Sequence, residues 1–163
     1  MTPRVVVTGL GVIAPNGSGV ADFEEALRKG ESGIRHVEEM AASKFACTVA
    51  GVPRGVDELV EANFEEDERL AMNMSHRYAS LATLEAWLDA GLTRPERDGD
   101  TVDWDTGAIL GTGIGGMDTI GAKVVPLTDA GKVRRLGSTA VEQVMASGIS
   151  ARVSGQFALG NQP

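Results

Sequence analysis

A chain of 163 residues with 42% hydrophobic and 23% charged residues has the composition of an ordinary globular domain, with enough apolar side chain to build a core. A formal net charge of −8 repels phosphate backbones and argues against nucleic-acid binding; the single cysteine excludes an internal disulfide, and no apolar run approaches the roughly 20 residues of a membrane helix. Twenty-one glycines against 4% aromatics indicate a mixed α/β chain organised by tight turns and close backbone approach.

Residues 4–8 (RVVVT) read as a β-branched strand that breaks at Gly9-Leu10-Gly11, and Pro15, Asn16 and Gly17 make the next stretch a loop. A helix follows, because Val20, Phe23, Ala26 and Leu27 recur at helical spacing, Glu24 and Arg28 form an i,i+4 pair, and Gly30 supplies a stop. Residues 45–51 (FACTVAG) alternate as a strand that contains Cys47. The longest periodic stretch is predicted as one helix over residues 66–90, with Leu70, Met74, Leu81, Leu84 and Leu88 on one stripe, Trp87 beside it and Gly91 at its end. Residues 98–105 are polar and acidic, a surface loop leading into a strand at 107–110 and then the run GTGIGG at 111–116. Two further helices are predicted, 117–125 and 141–159, with Thr139 and Glu142 at capping-box spacing ahead of the second. Ser147, Gly148, Ser150, Ala151, Ser154 and Gly155 suit that second helix to a buried or interfacial position.

Two glycine patterns mimic dinucleotide fingerprints, Gly9-x-Gly11-x-x-Ala14 and Gly111-x-Gly113-x-x-Gly116. In the first, Pro15-Asn16-Gly17 interrupts the helix that should receive the phosphates. The second has a strand before it and a helix after it, yet no second parallel strand with a closing acidic residue follows, so a structural turn or a backbone-lined pocket wall is the competing reading. Cys47 reads as a small buried hydrophobe, with neither His36 nor His76 spaced to activate it. Both histidines read as structural or surface residues, and no metal-ligand pattern is present. The acidic run at 65–68 is expected to form the negative first turn of a helix. Lys132, Arg134 and Arg135 make a positive island that is either a solvated loop or a docking point for an anion or acidic partner. The absence of signal-peptide architecture gives the expectation of a soluble, cytoplasmic protein.

Taken in order, RVVVTGLGVIAPNG, ALRKGESGI, FACTVAG, LATLEAWLDAGL, GAILGTGIGG and VMASGISARVSG resemble the N-terminal half of a β-ketoacyl-acyl-carrier-protein synthase, the condensing enzyme of fatty-acid and polyketide assembly. The resemblance covers nearly the whole chain, and VMASGISA looks closer to the synthase I branch than to synthase II. It implies an α/β, thiolase-like fold, α-β-α-β-α in five layers, built from two similar halves and normally dimeric. Residues 1–163 would form the N-terminal half only, ending before the nucleophile elbow. In the family the nucleophilic cysteine and two histidines lie further on, so no catalytic residue is assigned here and the chain alone is expected to be inactive. No metal or cofactor is implied.

By the same resemblance Ile114, flanked by Gly113 and Gly115, occupies the position that gates the acyl channel. Lys132 and Arg134, with Arg135 beside them, keep one of two basic surfaces that dock acyl carrier protein; at the other, only Arg69 remains within EEDERLAMNM. The partners implied are a carrier protein and either a second copy or the missing C-terminal half. The alternative function is a non-catalytic subunit that shapes a partner ketosynthase's acyl pocket, and a nucleotide-binding domain using GTGIGG ranks last.

Overall fold

The computed structural model describes residues 4–97 and 99–161 and divides into two compact units, one of residues up to Leu59 with Leu81–Leu92, the other of Val60–Ser80 with the residues from Thr93 onward. In the first unit, β1 (Ile13–Ala14) and β2 (Gly17–Ser18) pair antiparallel around Pro15 and Asn16 and lead into α1 (Val20–Lys29). The sequence-predicted helix and its stop are both found: Glu24 accepts from Arg28, and Gly30 takes the left-handed conformation, with φ 68°, that closes the helix. Beyond it β3 (Ile34–His36) and β4 (Val49–Gly51) pair antiparallel, with α2 (Glu38–Ala42) between them. The buried apolar side chains of this unit are Ala26, Val56, Leu81 and Leu84.

Two helices contribute to both units. α3 (Val56–Asn63) gives residues 56–59 to the first and 60–63 to the second, and α5 (Met74–Asp89) gives 81–89 to the first and 74–80 to the second. The second unit contains α4 (Glu66–Leu70), β5 (Asp103–Gly107), α6 (Met117–Thr119), α7 (Val125–Asp129), α8 (Thr139–Val144), α9 (Gly148–Gln156) and β6 (Leu159–Asn161). β5 and β6 pair parallel. Val60, Phe64, Ala71, Met72, Ala108, Ala140, Ile149, Val153 and Phe157 make its core.

Several elements differ from the expectations. Residues 4–8 have no ladder partner among the described residues, and Val5, Val6 and Val7 are exposed, because β-propensity gives a strand only where a neighbour supplies hydrogen bonds. The strand expected at 107–110 lies earlier, at β5, and therefore begins inside the stretch read as an acidic loop, of which Asp98 falls outside the described residues. Only the last three residues of 45–51 are strand, and Cys47 is exposed in the preceding loop rather than buried. The single helix over 66–90 is two, broken after Ala71; Asn73 starts the second by accepting the His76 N–H on its side chain at 2.9 Å, so Leu70 falls outside the apolar stripe and is exposed. Gly91, with φ 74°, ends that helix as expected.

The helix expected at 117–125 runs on to Asp129 and passes through a π-helical segment at Ile120–Val124. That expected at 141–159 is α8 and α9, because Met145 turns to extended backbone with ψ 135° and the chain folds back. The fold-back needs glycine at 148, where a Cβ would stand 2.3 Å from the Glu142 carbonyl oxygen. Thr139 is the first helical residue and Ser138 the cap position without a side-chain bond, so the expected capping box is not formed. A capping box does form at α4, where Glu65 and Glu68 exchange bonds and the acidic run makes the first turn as expected.

Candidate functional site

The loop at 111–116 leaves the buried Ala108 and ends at α6, all within the second unit. Its two ends are built differently. A Cβ at Gly111 or Gly113 would meet nothing within 4 Å, whereas one at Gly115 would stand 3.4 Å from the carbonyl oxygens of Val144 and Met145. Gly116 has φ 67°, and a Cβ there would come within 2.4 Å of the Gln143 carbonyl oxygen, so only glycine fits. Thr112 Oγ1 donates to the Ile114 carbonyl at 3.1 Å, and the Ile114 side chain is 68% exposed. The outcome is an apolar side chain held out on an open half-loop whose other half is seated against the backbone of residues 143–145.

That seat is fixed by the start of α5. Asn73 Nδ2 donates to the Gln143 carbonyl at 2.5 Å, Gln143 Nε2 donates to Leu70 O at 3.5 Å, and Asp118, two residues past the loop, accepts the Met74 N–H at 2.8 Å. His76 lies beneath, 1% exposed, with Nδ1 2.7 Å from Asn73 Oδ1. Burial pushes its imidazole below the ordinary value; the Gly148 backbone, Glu142 and Asp118 act the other way, and Arg152 adds to the lowering. Sequence reading assigned His76 no partner and missed Asn73, Asp118 and Gln143. The one local signal was an asparagine three residues ahead of His76 at N-cap spacing.

The remaining candidates fall elsewhere. Lys132, Arg134 and Arg135 are exposed around a 3₁₀ turn at Val133–Arg135, and none of the three forms an ion pair among the described residues. Arg69 is offset by Glu61 at 3.5 Å. A cavity of about 640 Å³ in the second unit is lined by Arg94, Arg97 and Arg152, but each guanidinium is engaged by a carboxylate, those of Glu68, Asp67 and Glu142. Cys47 Sγ donates to the Val49 carbonyl at 3.6 Å, and His36 is exposed on β3. Among the described residues no cluster of three or more His, Cys, Asp or Glu could hold a metal, and no helix is long and apolar enough to cross a membrane.

The first fingerprint has a packing role. In the first unit a Cβ at Gly9 would stand 2.1 Å from the Ala86 carbonyl oxygen and one at Gly11 1.9 Å from that of Ala82, so both glycines lie against the backbone of α5. Glu85 closes the contact, its Oε2 accepting the Val12 N–H at 2.8 Å and its Oε1 the Val20 N–H at 2.6 Å. Asp89 accepts the Leu10 N–H at 2.9 Å.

The model of the β-ketoacyl synthase N-terminal domain matches residues 2–160. A 3-oxoacyl-[acyl-carrier-protein] synthase 2 of Vibrio harveyi is 35% identical over 78% of this chain and 29% of its own, and a protein of the same name from Synechocystis is 34% identical over 80% and 30%. The crystal structure of a β-ketoacyl synthase from Burkholderia phymatum superposes with a TM-score of 0.79 at 24% identity, over 98% of this chain and 38% of that one; at that identity it shows the fold, which is thiolase-like. The chain belongs to the β-ketoacyl synthase family and corresponds to its N-terminal domain. It spans about 30% of the length of the curated relatives it matches. Those relatives are named synthase 2, so the finer leaning toward synthase I finds no support in them.

Proposed function

We propose that this domain forms the wall and the docking face of a decarboxylative condensing site, with Ile114 between Gly113 and Gly115 lining the acyl channel and Lys132, Arg134 and Arg135 receiving an acidic carrier protein. The observation that carries the reading is the half-seated glycine loop, which holds an isoleucine 68% exposed on backbone that no neighbour crowds. Burying acyl methylenes against such a wall contributes about 0.8 kcal/mol each, enough to sort chains by length.

The chemistry follows that of the family. A cysteine thiolate attacks the acyl thioester, the carrier thiol leaves, loss of carbon dioxide from a malonyl thioester gives a carbanion, and this attacks the held acyl group to release the β-ketoacyl product and the cysteine. In this reading the cysteine and two histidines lie outside residues 1–163, Cys47 takes no part, and the chain alone does not turn over. The exposed Val5, Val6 and Val7 of the first unit and Ile109 of the second are faces for the other ketosynthase half or a second copy to cover. The compartment proposed is the cytoplasm.

The docking face is tested by stopped-flow binding to an acidic acyl carrier protein. Replacing Lys132, Arg134 and Arg135 by Ala lowers the association rate and flattens its salt dependence, whereas Arg69→Ala, which removes a cation already offset by Glu61, changes little. The reverse order of effects refutes the assignment.

A further inference from the structure

We propose that Asn73 and His76 form a clamp that sets the position of the 111–116 loop, and that the clamp holds only while His76 is neutral. The inference deepens the reading of that loop as an acyl wall and rests on it for its consequence, though not for its physics.

Asn73 makes three bonds from one side chain. Its Oδ1 accepts the His76 N–H at 2.9 Å and faces His76 Nδ1 at 2.7 Å, while its Nδ2 donates to the Gln143 carbonyl at 2.5 Å. An Oδ1 that already accepts one bond can accept a second from Nδ1–H, which places the imidazole in the Nδ1-protonated tautomer and leaves Nε2 as a bare lone pair. Nε2 is buried, and the polar group beside it is the Gly148 backbone. Nε2 lies 3.2 Å from the point that a Cβ on Gly148, the first residue of α9, would occupy. The Gln143 carbonyl that Asn73 holds is the atom against which Gly116 is seated, and the Val144 and Met145 carbonyls beside it seat Gly115. The side chain of His76 is therefore linked to the loop through one asparagine and one stretch of backbone.

Adding a proton to Nε2 leaves an imidazolium in a site only 1% exposed, where loss of solvation and Arg152 oppose the charge and the Gly148 backbone favours it. The charged groups facing the ring are Arg152 on α9, Glu142 on α8 and Asp118 on α6. Arg152 and Glu142 are engaged with each other at 2.5 Å and Asp118 holds the Met74 N–H, so each carboxylate, though it favours the proton, is tied to another group through one of its oxygens. The protonated ring is relieved by leaving the site, which breaks its bond to Asn73 and frees the backbone on which Gly115 and Gly116 rest.

Amide hydrogen exchange of the 163-residue chain, corrected for intrinsic rates, tests this at pH 7.5 and 5.5 with no acyl ligand or carrier present. An open state that takes up one proton at the ordinary histidine value of 6.5 is favoured by up to about tenfold over this interval, so peptides covering 111–118 and 143–148 exchange faster by that order at pH 5.5. The β3–β4 hairpin serves as the reference and does not change. His76→Asn keeps an N–H near the Nδ1 position and cannot titrate, so it stays slow at both pH values; Asn73→Ala is fast at both. Equal rates at the two pH values in the unsubstituted chain overturn the proposal. So does an acid response in His76→Asn equal to that of the original, or an acceleration of the same size in every peptide, which is global unfolding. Because the assay involves no acyl chain, its failure leaves the assignment of Ile114 standing, and failure of that assignment leaves the clamp standing.

Discussion

Glu85 joins the segment from Val12 to Val20 to α5 through one carboxylate, and its replacement gives the sharpest stability test of the first unit. Its two oxygens accept separate backbone N–H groups, from Val12 at 2.8 Å and Val20 at 2.6 Å, both in partly buried surroundings. Hydrogen bonds to a charged group contribute about 1.5–3 kcal/mol each when buried, and water entering the space left by a truncation recovers part of this, so Glu85→Ala is expected to cost about 2–4 kcal/mol. Glu85→Gln separates charge from geometry. It offers one acceptor and turns an amide NH₂ toward the other N–H, so one bond is lost and a donor faces a donor; it is expected to cost at least half as much as Ala. Urea unfolding followed by circular dichroism reads both, as a lowered midpoint with an unchanged slope. A Glu85→Ala protein within 0.5 kcal/mol of the original would refute the idea that this carboxylate seats the Gly9–Gly11 turn on the helix.

Gly116→Ala forces a left-handed residue to carry a Cβ 2.4 Å from the Gln143 carbonyl oxygen; the conformation costs about 1–2 kcal/mol and the backbone shift about as much again, giving a loss of roughly 2–4 kcal/mol by the same measurement. Gly113→Ala, with nothing within 4 Å of its Cβ, is expected to change stability by less than about 0.5 kcal/mol. The lowered His76 value fixes the sign of a pH effect: the folded state binds fewer protons than the unfolded one, so this contribution is complete above the unfolded value of 6.5 and is lost as pH falls below it. Urea midpoints between pH 7.5 and 5.5 therefore decline more steeply in the original chain than in His76→Asn. Incubation with an acyl thioester leaves Cys47 without a stoichiometric adduct, as read by intact-protein mass spectrometry, since that exposed thiol donates to the Val49 carbonyl rather than to a base.

What the sequence discloses about this chain is mostly local. α1 is legible because periodicity, an i,i+4 pair and Gly30 all lie within it, and the end of α5 because Gly91 marks it. The acidic run at 65–68 makes its predicted first turn for the same reason, since Glu65 and Glu68 reach each other directly. The pattern is misleading wherever a distant partner decides. Residues 4–8 have every strand propensity and no neighbouring ladder; Cys47 alternates like a strand residue but precedes the segment that β3 pairs. The break at Asn73 interrupts an otherwise helical stripe because its side chain is engaged with Gln143, 70 residues on. Glu85 was hidden in the same way, as its two bonded backbone groups lie 73 and 65 residues away. At the candidate site, the glycine run at 111–116 is legible from its own residues, whereas the role proposed for Ile114 comes from the resemblance alone. The reason Gly115 and Gly116 are glycines is three-dimensional, residing in the carbonyls of residues 143–145.

The central claim, that Ile114 forms part of an acyl channel wall, is tested most directly by transplanting residues 2–160 in place of the matched segment of the Vibrio harveyi synthase 2 and measuring condensation as a function of acyl chain length. The hybrid with Ile114 is expected to elongate a range of chains, and the hybrid with Ile114→Phe, whose larger side chain fills the channel, to lose the longer ones first while retaining the shortest. A pair of hybrids that both condense, with chain-length profiles that coincide, would contradict the account.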